Sequence, residues 1–84
     1  MKEGWFSSPV PVSEGFTGDI RYVSSARQAI AMLTGNWHGQ GSAKHLAALR
    51  ACQGAIHGHV SPARAREAFV EAADEARVLA EHRE

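Results

Sequence analysis

The stretch from Ala51 to Leu79 constrains the fold most, because it contains the signals for the end of one helix and the start of another. Gly58 is placed to end a helix in the left-handed conformation, which glycine adopts at little steric cost. Ser61 and Pro62 follow; serine caps helix N-termini, and proline is tolerated in the first turn. This order predicts two antiparallel helices joined by a short corner.

The helix that begins at Ser61-Pro62 is amphipathic. Its apolar residues recur at three- and four-residue steps and share one face: Ala65, Ala68, Phe69, Ala72, Ala76 and Leu79. The opposite face is charged and is interpreted as a solvated surface: Arg66, Glu67, Glu71, Asp74, Glu75 and Glu81. Because the apolar face is mostly alanine, a neighbouring helix can approach toward the short end of the interaxial range of about 8–10 Å.

Two short strands are predicted before the helices. Residues 9–12 alternate proline and valine, and because proline has no N–H, one edge of this strand cannot donate to a neighbour. Gly15 and Gly18 favour a turn. Asp19–Val23 then contains the β-branched and aromatic residues typical of a second strand. We therefore expect an antiparallel β-hairpin.

Two further helices lie between the strands and the final helix. Ser25, with Gln28 three residues later, is typical of a capping box, and Ser42 can cap the next helix. The buried face of that next helix is expected to hold the following residues: Leu46, Leu49, Cys52 or Gln53, and Ile56. Trp37, in the loop between these helices, is interpreted as a plug over the helix ends.

The predicted architecture is therefore α+β, with an N-terminal antiparallel β-hairpin followed by three α-helices in the order ββααα. At 84 residues we expect a single domain, residues 1–84, with residues 1–8 forming a loose N-terminal segment. Trp5 and Phe6 are large for a free tail, so one of them is expected to cover the edge of the core. The alternative is an exposed aromatic anchor for a partner.

Composition excludes several classes of function. Nine basic residues balance nine acidic ones, which removes the bulk electrostatic argument for nucleic-acid binding. No apolar run approaches the roughly 20 residues of a membrane span, and no leader resembling a signal peptide is seen. A single cysteine, Cys52, cannot form an internal disulfide, so the cytoplasm is the expected compartment.

The chain resembles a family of short bacterial proteins known as Domain of Unknown Function 982. The residues that carry the likeness are spread along nearly the whole chain: Pro9, Val10, Arg21, Val23, Ser24, Ala29, Leu33, Trp37, Gly41, Ala48, Cys52, Gly58, Ala65, Arg66, Ala68, Phe69, Ala72, Ala73, Glu75 and Ala76. One departure is His38, where the family pattern suggests proline. The resemblance supports the fold and implies no activity, cofactor or catalytic residue.

No residue pattern predicts catalysis or a bound cofactor. His57 and His59 flank a helix end and could contribute to a chelate, but a tight metal site needs three or four ligands. Cys52 lies on an apolar helix face, where it is interpreted as a small core residue instead of a nucleophile. No phosphate-binding loop and no serine–histidine–acid arrangement can be recognised. We therefore expect a protein that is not an enzyme and has no cofactor or metal.

Arg66 lies in the first turn of the last helix, where the helix dipole disfavours a cation. Its first interpretation is a structural ion pair with an acid such as Asp19 or Glu14. The second is a contact with an anionic ligand or partner. Trp37 and His38 have a similar alternative, as parts of a recognition surface.

The predicted function is that of a small binding or assembly module that acts through protein–protein contacts. Because the outer edge of strand 19–23 has no proline, we expect two copies to pair through it as a homodimer. The candidate interaction residues are listed in chain order: Ile20, Tyr22, Trp37, His38 and Arg66. The alternatives are a DNA-associated regulator, or a small-ligand or metal binder around Trp37, His38 and Cys52.

Overall fold

The computed structural model describes residues 5–14, 19–35, 37 and 40–77. Five elements follow one another along the chain: β1 (Trp5–Glu14), β2 (Asp19–Ser25), α1 (Ala26–Leu33), α2 (Ala43–Ile56) and α3 (Pro62–Glu75). The α+β class and the three helices are confirmed. None of the helices seen in these residues has the length and apolar character needed to span a membrane.

β1 and β2 pair antiparallel, with Val10 opposite Val23 and Val12 opposite Arg21. The pairing is not one regular ladder, because its register shifts between Trp5 and Val10. A simple hairpin is therefore not confirmed, and the predicted turn at 15–18 lies outside the described residues.

β1 also begins earlier than predicted. Residues 5–8 were expected to be loose, but they lie in the strand. The reason is that Phe6 is buried, with its ring centroid 6.5 Å from that of Phe69. Trp5, in contrast, is 51% exposed. Of the two aromatic residues, it is Phe6 that covers the core.

Serine residues cap all three helices, as predicted. The Ser25 hydroxyl accepts from the Gln28 N–H, and Ser42 and Ser61 cap α2 and α3 in the same way. The capping box differs in one respect, because Gln28 Oε1 accepts from the N–H of Ser24, at 2.8 Å, instead of that of Ser25. These caps fix where each helix begins.

α2 and α3 are antiparallel neighbours. At one end, Gly58 has φ +83° and turns the chain, and the N–H of His59 donates to Gly54 O at 2.8 Å. At the other end, the Ser42 hydroxyl donates to the Glu75 carboxylate at 2.7 Å. Because contacts join the start of α2 to the end of α3, the prediction of an antiparallel helix pair is confirmed.

The core lies between the sheet and the helices, and α3 is central to it. α3 packs on β1 and α2, while α1 packs on β2 and α2. Phe69 is fully buried, and the other buried residues of α3 are small: Ala65, Ala72 and Ala73. Ala68 and Ala76, expected in the same face, are half-buried, and Leu79 lies outside the described residues.

The predicted buried face of α2 is wrong by about one residue. Leu46 is 49% exposed and Gln53 is exposed, while Leu49 and Ile56 are half-buried. The residues that are buried include only one from the predicted set: His45, Ala48, Cys52 and Ala55. Small residues let α2 approach its neighbours, and two hydrogen bonds to the backbone allow a histidine to be buried among them.

Candidate functional site

The side of the sheet that faces away from the helices carries two large exposed apolar side chains. Val10, Val12 and Val23 are buried, so their face of the sheet lies against the helices. Successive residues of a strand point to opposite faces. Ile20 and Tyr22 accordingly point outward, and they are 51% and 60% exposed. We call this region, Ile20–Tyr22 and its strand edge, the β2 surface.

The backbone of the β2 surface also points away from β1. Pro11 lies opposite Tyr22, and because proline has no N–H, this pair cannot exchange two hydrogen bonds. In an antiparallel ladder bonded and non-bonded pairs alternate, so Val23 and Arg21 are the residues bonded to β1. The N–H and C=O groups of Ile20 and Tyr22 therefore face the outer edge.

The outer edge of β1 is blocked. Pro9 and Pro11 provide no N–H there, which agrees with the sequence prediction. Arg66 in addition donates from Nε to Ser8 O, at 2.8 Å, and from Nη2 to Pro9 O, at 3.4 Å. The described partners of Arg66 are thus two backbone carbonyls of β1. The predicted ion pair involves the side chains of Asp19 or Glu14, which lie outside the described ones.

The far end of the β2 edge is closed by a side chain. Gln28 Oε1 accepts from the Ser24 N–H and lies 3.2 Å from the Ser24 hydroxyl oxygen. Within the described part of the sheet, the backbone groups of β2 that remain directed away from β1 are those of Ile20 and Tyr22. The capping-box pattern predicted that Gln28 bonds to the backbone near the start of α1. It did not predict that this bond would occupy the Ser24 N–H at the edge of β2.

Trp37 contributes to the core instead of to a recognition surface. It is 7% exposed, and its ring centroid lies 5.6 Å from that of Phe69. This agrees with its interpretation as a plug. His38, the other candidate in this loop, lies outside the described residues.

Cys52 is fully buried and its thiol is free. Burial raises the pKa of this thiol from 9.0 to about 12, because the thiolate would lose its hydration. The group is therefore a neutral thiol near pH 7, which is unsuited to nucleophilic attack. Trp37 and Cys52 are both core residues.

The histidines do not assemble a metal site within the part of the chain that is described, where no three His, Cys, Asp or Glu side chains are grouped to hold an ion. His57 and His59 are exposed, with ring centroids 6.3 Å apart. His45 is buried: its Nδ1 accepts from Gly41 N–H at 3.2 Å, and its Nε2 lies 2.8 Å from Leu33 O.

Charges are spread over several elements. The exposed basic residues before α3 lie on β2, α1 and α2: Arg21, Arg27, Lys44 and Arg50. Lys44 is 3.6 Å from Glu71, so part of its charge is balanced within the protein. The acidic side chains of α3 are exposed, as predicted: Glu67, Glu71, Asp74 and Glu75. The basic side chains are not gathered on one helix, as groove binding would favour.

Comparison with known proteins gives a family and a fold. The chain is similar to the NMR structure of the Agrobacterium tumefaciens protein Atu1219, with a TM-score of 0.79 and 30% sequence identity over 99% of this chain and 82% of that one. No curated protein matches. The model of the family described as "Protein of unknown function (DUF982)" matches residues 8–80. The chain therefore belongs to the DUF982 family.

Proposed function

We propose that the protein is a small, non-enzymatic assembly module that forms a homodimer through the β2 surface. The observation that carries this proposal is the exposure of Ile20 and Tyr22 on the uncovered sheet face, next to outward-directed backbone groups. Such an edge is a template for another strand. The opposite edge, on β1, is protected by Pro9, Pro11 and Arg66.

The energetics favour a partner at this surface. An isolated two-stranded sheet is marginally stable in water. Pairing two copies through β2 would join the two described strands of each copy into one sheet. Ile20 and Tyr22 are about half exposed in the single chain, and each Å² of apolar area removed from water contributes about 25 cal/mol. The surface is small compared with the roughly 1,600 Å² of a standard interface, so we expect a dimer of modest affinity.

Two further features belong to this proposal. Because the Cys52 thiol is buried and neutral, it does not serve as a nucleophile, which supports a function through surface contacts. A free cysteine also fits a reducing cytoplasm. We also propose that β1 and β2 form a β-hairpin.

The experiment is sedimentation equilibrium of the wild type and of Ile20→Thr/Tyr22→Thr from 5 to about 500 μM, the range set by a modest affinity. Threonine keeps the β propensity of the strand while removing most of the apolar area. We expect the wild type to reach the dimer mass and the double variant to stay monomeric, with its melting temperature measured in parallel.

The matched control is Leu46→Ala, because Leu46 is similarly exposed, at 49%, but lies on α2. It should dimerise like the wild type. A monomeric wild type at every concentration would overturn the proposal, and so would a double variant that dimerises normally.

A further inference from the structure

We propose that His57 and His59 together chelate one divalent transition-metal ion, of the class that prefers imidazole nitrogen, at the C-terminal end of α2. The chain supplies two ligands, and water fills the remaining positions of the ion. The site is therefore open and exchangeable, unlike the closed four-ligand sites of structural zinc. It involves neither strand of the sheet, so it does not rest on the proposed dimer.

The backbone that carries the two histidines is held in a complete Schellman turn. Gly58 has φ +83°. Its N–H donates to Ala55 O at 3.2 Å, and the His59 N–H donates to Gly54 O at 2.8 Å. His57 is the C-cap residue, and its N–H donates to carbonyl oxygens of α2. Because the backbone is already ordered, binding an ion requires only that the two side chains be ordered.

The two imidazole rings lie close to the distance that chelation requires. Their centroids are 6.3 Å apart and their planes are inclined by 32°. A nitrogen–metal bond of about 2.0–2.1 Å places each centroid about 3.2 Å from the ion. Two rings on one ion then have centroids about 5.2 Å apart at a tetrahedral angle, and at most about 6.4 Å. Both side chains are exposed, so rotation about their χ angles closes this gap without disturbing the core.

The end of α2 is also electrostatically suited to a cation. The dipole of a helix places about −0.5 elementary charge at its C-terminus. No basic side chain lies in the last turn of α2 to balance this charge. An ion held between the two imidazoles therefore takes the place that a lysine or arginine commonly has at the end of a helix.

The ligand set determines which ions bind. Imidazole nitrogen suits Cu²⁺, Ni²⁺ and Zn²⁺, whereas Mg²⁺ and Ca²⁺ prefer oxygen ligands. Among the described residues no cluster of three His, Cys, Asp or Glu side chains is found, so no carboxylate or thiolate there joins the pair. We therefore expect Cu²⁺ to bind more tightly than Zn²⁺, and Mg²⁺ not to bind measurably.

The experiment is isothermal titration calorimetry at pH 7.5 with Cu²⁺, Zn²⁺ and Mg²⁺, each alone. We expect one Zn²⁺ per chain, with a dissociation constant of about 1–100 μM. His57→Gln and His59→Gln should each weaken binding about tenfold or more. The double variant should lose little beyond either single variant, because a chelate needs both rings. Two histidines that bind independently would instead give two ions per chain, which would overturn the proposal.

The matched control is His38→Gln, which should bind Zn²⁺ like the wild type. Melting temperatures measured without metal establish that each variant is folded. Ile20→Thr/Tyr22→Thr should also bind Zn²⁺ like the wild type, so this site and the proposed dimer can fail separately. The site is ruled out if either single substitution at 57 or 59 leaves the affinity unchanged. It is equally ruled out if His38→Gln abolishes binding, or if the wild type binds no Zn²⁺.

Discussion

The ring of Trp37 packs against that of Phe69, with centroids 5.6 Å apart and planes inclined by 43°. Phe6 contacts the same ring from β1, at 6.5 Å. Phe69 thereby joins the strand, the loop after α1 and helix α3. Most other buried residues of the helices are alanines, so this aromatic cluster supplies a large share of the apolar area in the core.

Truncating Phe69 should therefore be severe. Phe→Ala in a core costs about 3–5 kcal/mol, and a domain of this size is stable by roughly 4–12 kcal/mol. We expect Phe69→Ala to be largely unfolded at 37 °C and Phe69→Leu to fold with reduced stability. The measurement is urea unfolding followed by the fluorescence of Trp37 in a Trp5→Phe background.

Leu46→Ala is the control for this series, because the side chain is half exposed. Its free energy of unfolding should stay within about 0.5 kcal/mol of the wild type. If Phe69→Ala were as stable as Leu46→Ala, the aromatic cluster would not be the centre of the core.

The sequence predicts the parts of this fold that depend on local chemistry. Ser25, Ser42 and Ser61 cap helices because a hydroxyl near the first free N–H groups is favourable whatever lies around it. Alternation along β2 likewise predicts that Ile20 and Tyr22 share a face. These are the residues on which the candidate site depends.

Features that depend on distant partners could not be predicted. The burial of His45 requires the Leu33 carbonyl and the Gly41 N–H, and backbone groups carry no sequence signal. Leu46 was expected to be buried because it is the more apolar residue. For the same reason, the sequence could not predict that Arg66 donates to backbone carbonyls of β1 and not to a carboxylate.

Gly54 of α2 lies close to Val60, in the corner before α3. A Cβ at this position would lie 2.6 Å from Val60 Cγ2. Gly→Ala in a helix interior normally stabilises by about 0.5–1 kcal/mol, but here we expect Gly54→Ala to lower the melting temperature. The same substitution in a Val60→Ala background should be less destabilising, because the 2.6 Å contact is removed and only the contact with the Cβ of residue 60, at 3.3 Å, remains. Equal effects in both backgrounds would contradict this explanation.

Cys52 should be unreactive in the folded protein. Its pKa of about 12 leaves almost no thiolate at pH 8. We expect Ellman's reagent to label the thiol only after unfolding in urea. Rapid labelling of the native protein would show that the thiol is accessible.

The raised pKa of Cys52 also makes stability depend on pH. The unfolded thiol ionises near 9.0 and the folded thiol near 12, so the unfolded state releases the proton first. The contribution is fully present below pH 9 and is lost as the pH rises toward 12. Relative to Cys52→Ala, the wild type should therefore lose free energy of unfolding above pH 9. A constant difference across this range would contradict the assignment.

The tautomer of His45 follows from its two partners. Gly41 provides an N–H, so Nδ1 must accept, and the proton lies on Nε2, which donates to Leu33 O. Two-bond ¹⁵N–¹H correlation spectra at pH 7.5 should show this single tautomer. His57 and His59, which are exposed, are the controls and should show averaged signals. An Nδ1-protonated ring at His45 would be incompatible with the Gly41 contact.

Replacing Arg66 distinguishes its structural role from a role in binding. Arg66→Gln removes the two hydrogen bonds to the Ser8 and Pro9 carbonyls, and because the guanidinium is partly solvated we expect a loss of about 1 kcal/mol. This corresponds to a fall of about 4–8 °C in the melting temperature. Arg66→Lys should not restore stability, since an ammonium lacks the planar pair of donors.

Arg64→Gln is the matched control, because Arg64 lies two residues before Arg66 on α3 and is exposed. Its melting temperature should equal that of the wild type. The oligomeric state of Arg66→Gln should also be unchanged, since Arg66 covers the edge of β1 and the dimer forms at the edge of β2. Lost dimerisation at wild-type stability would place the interface on β1 instead.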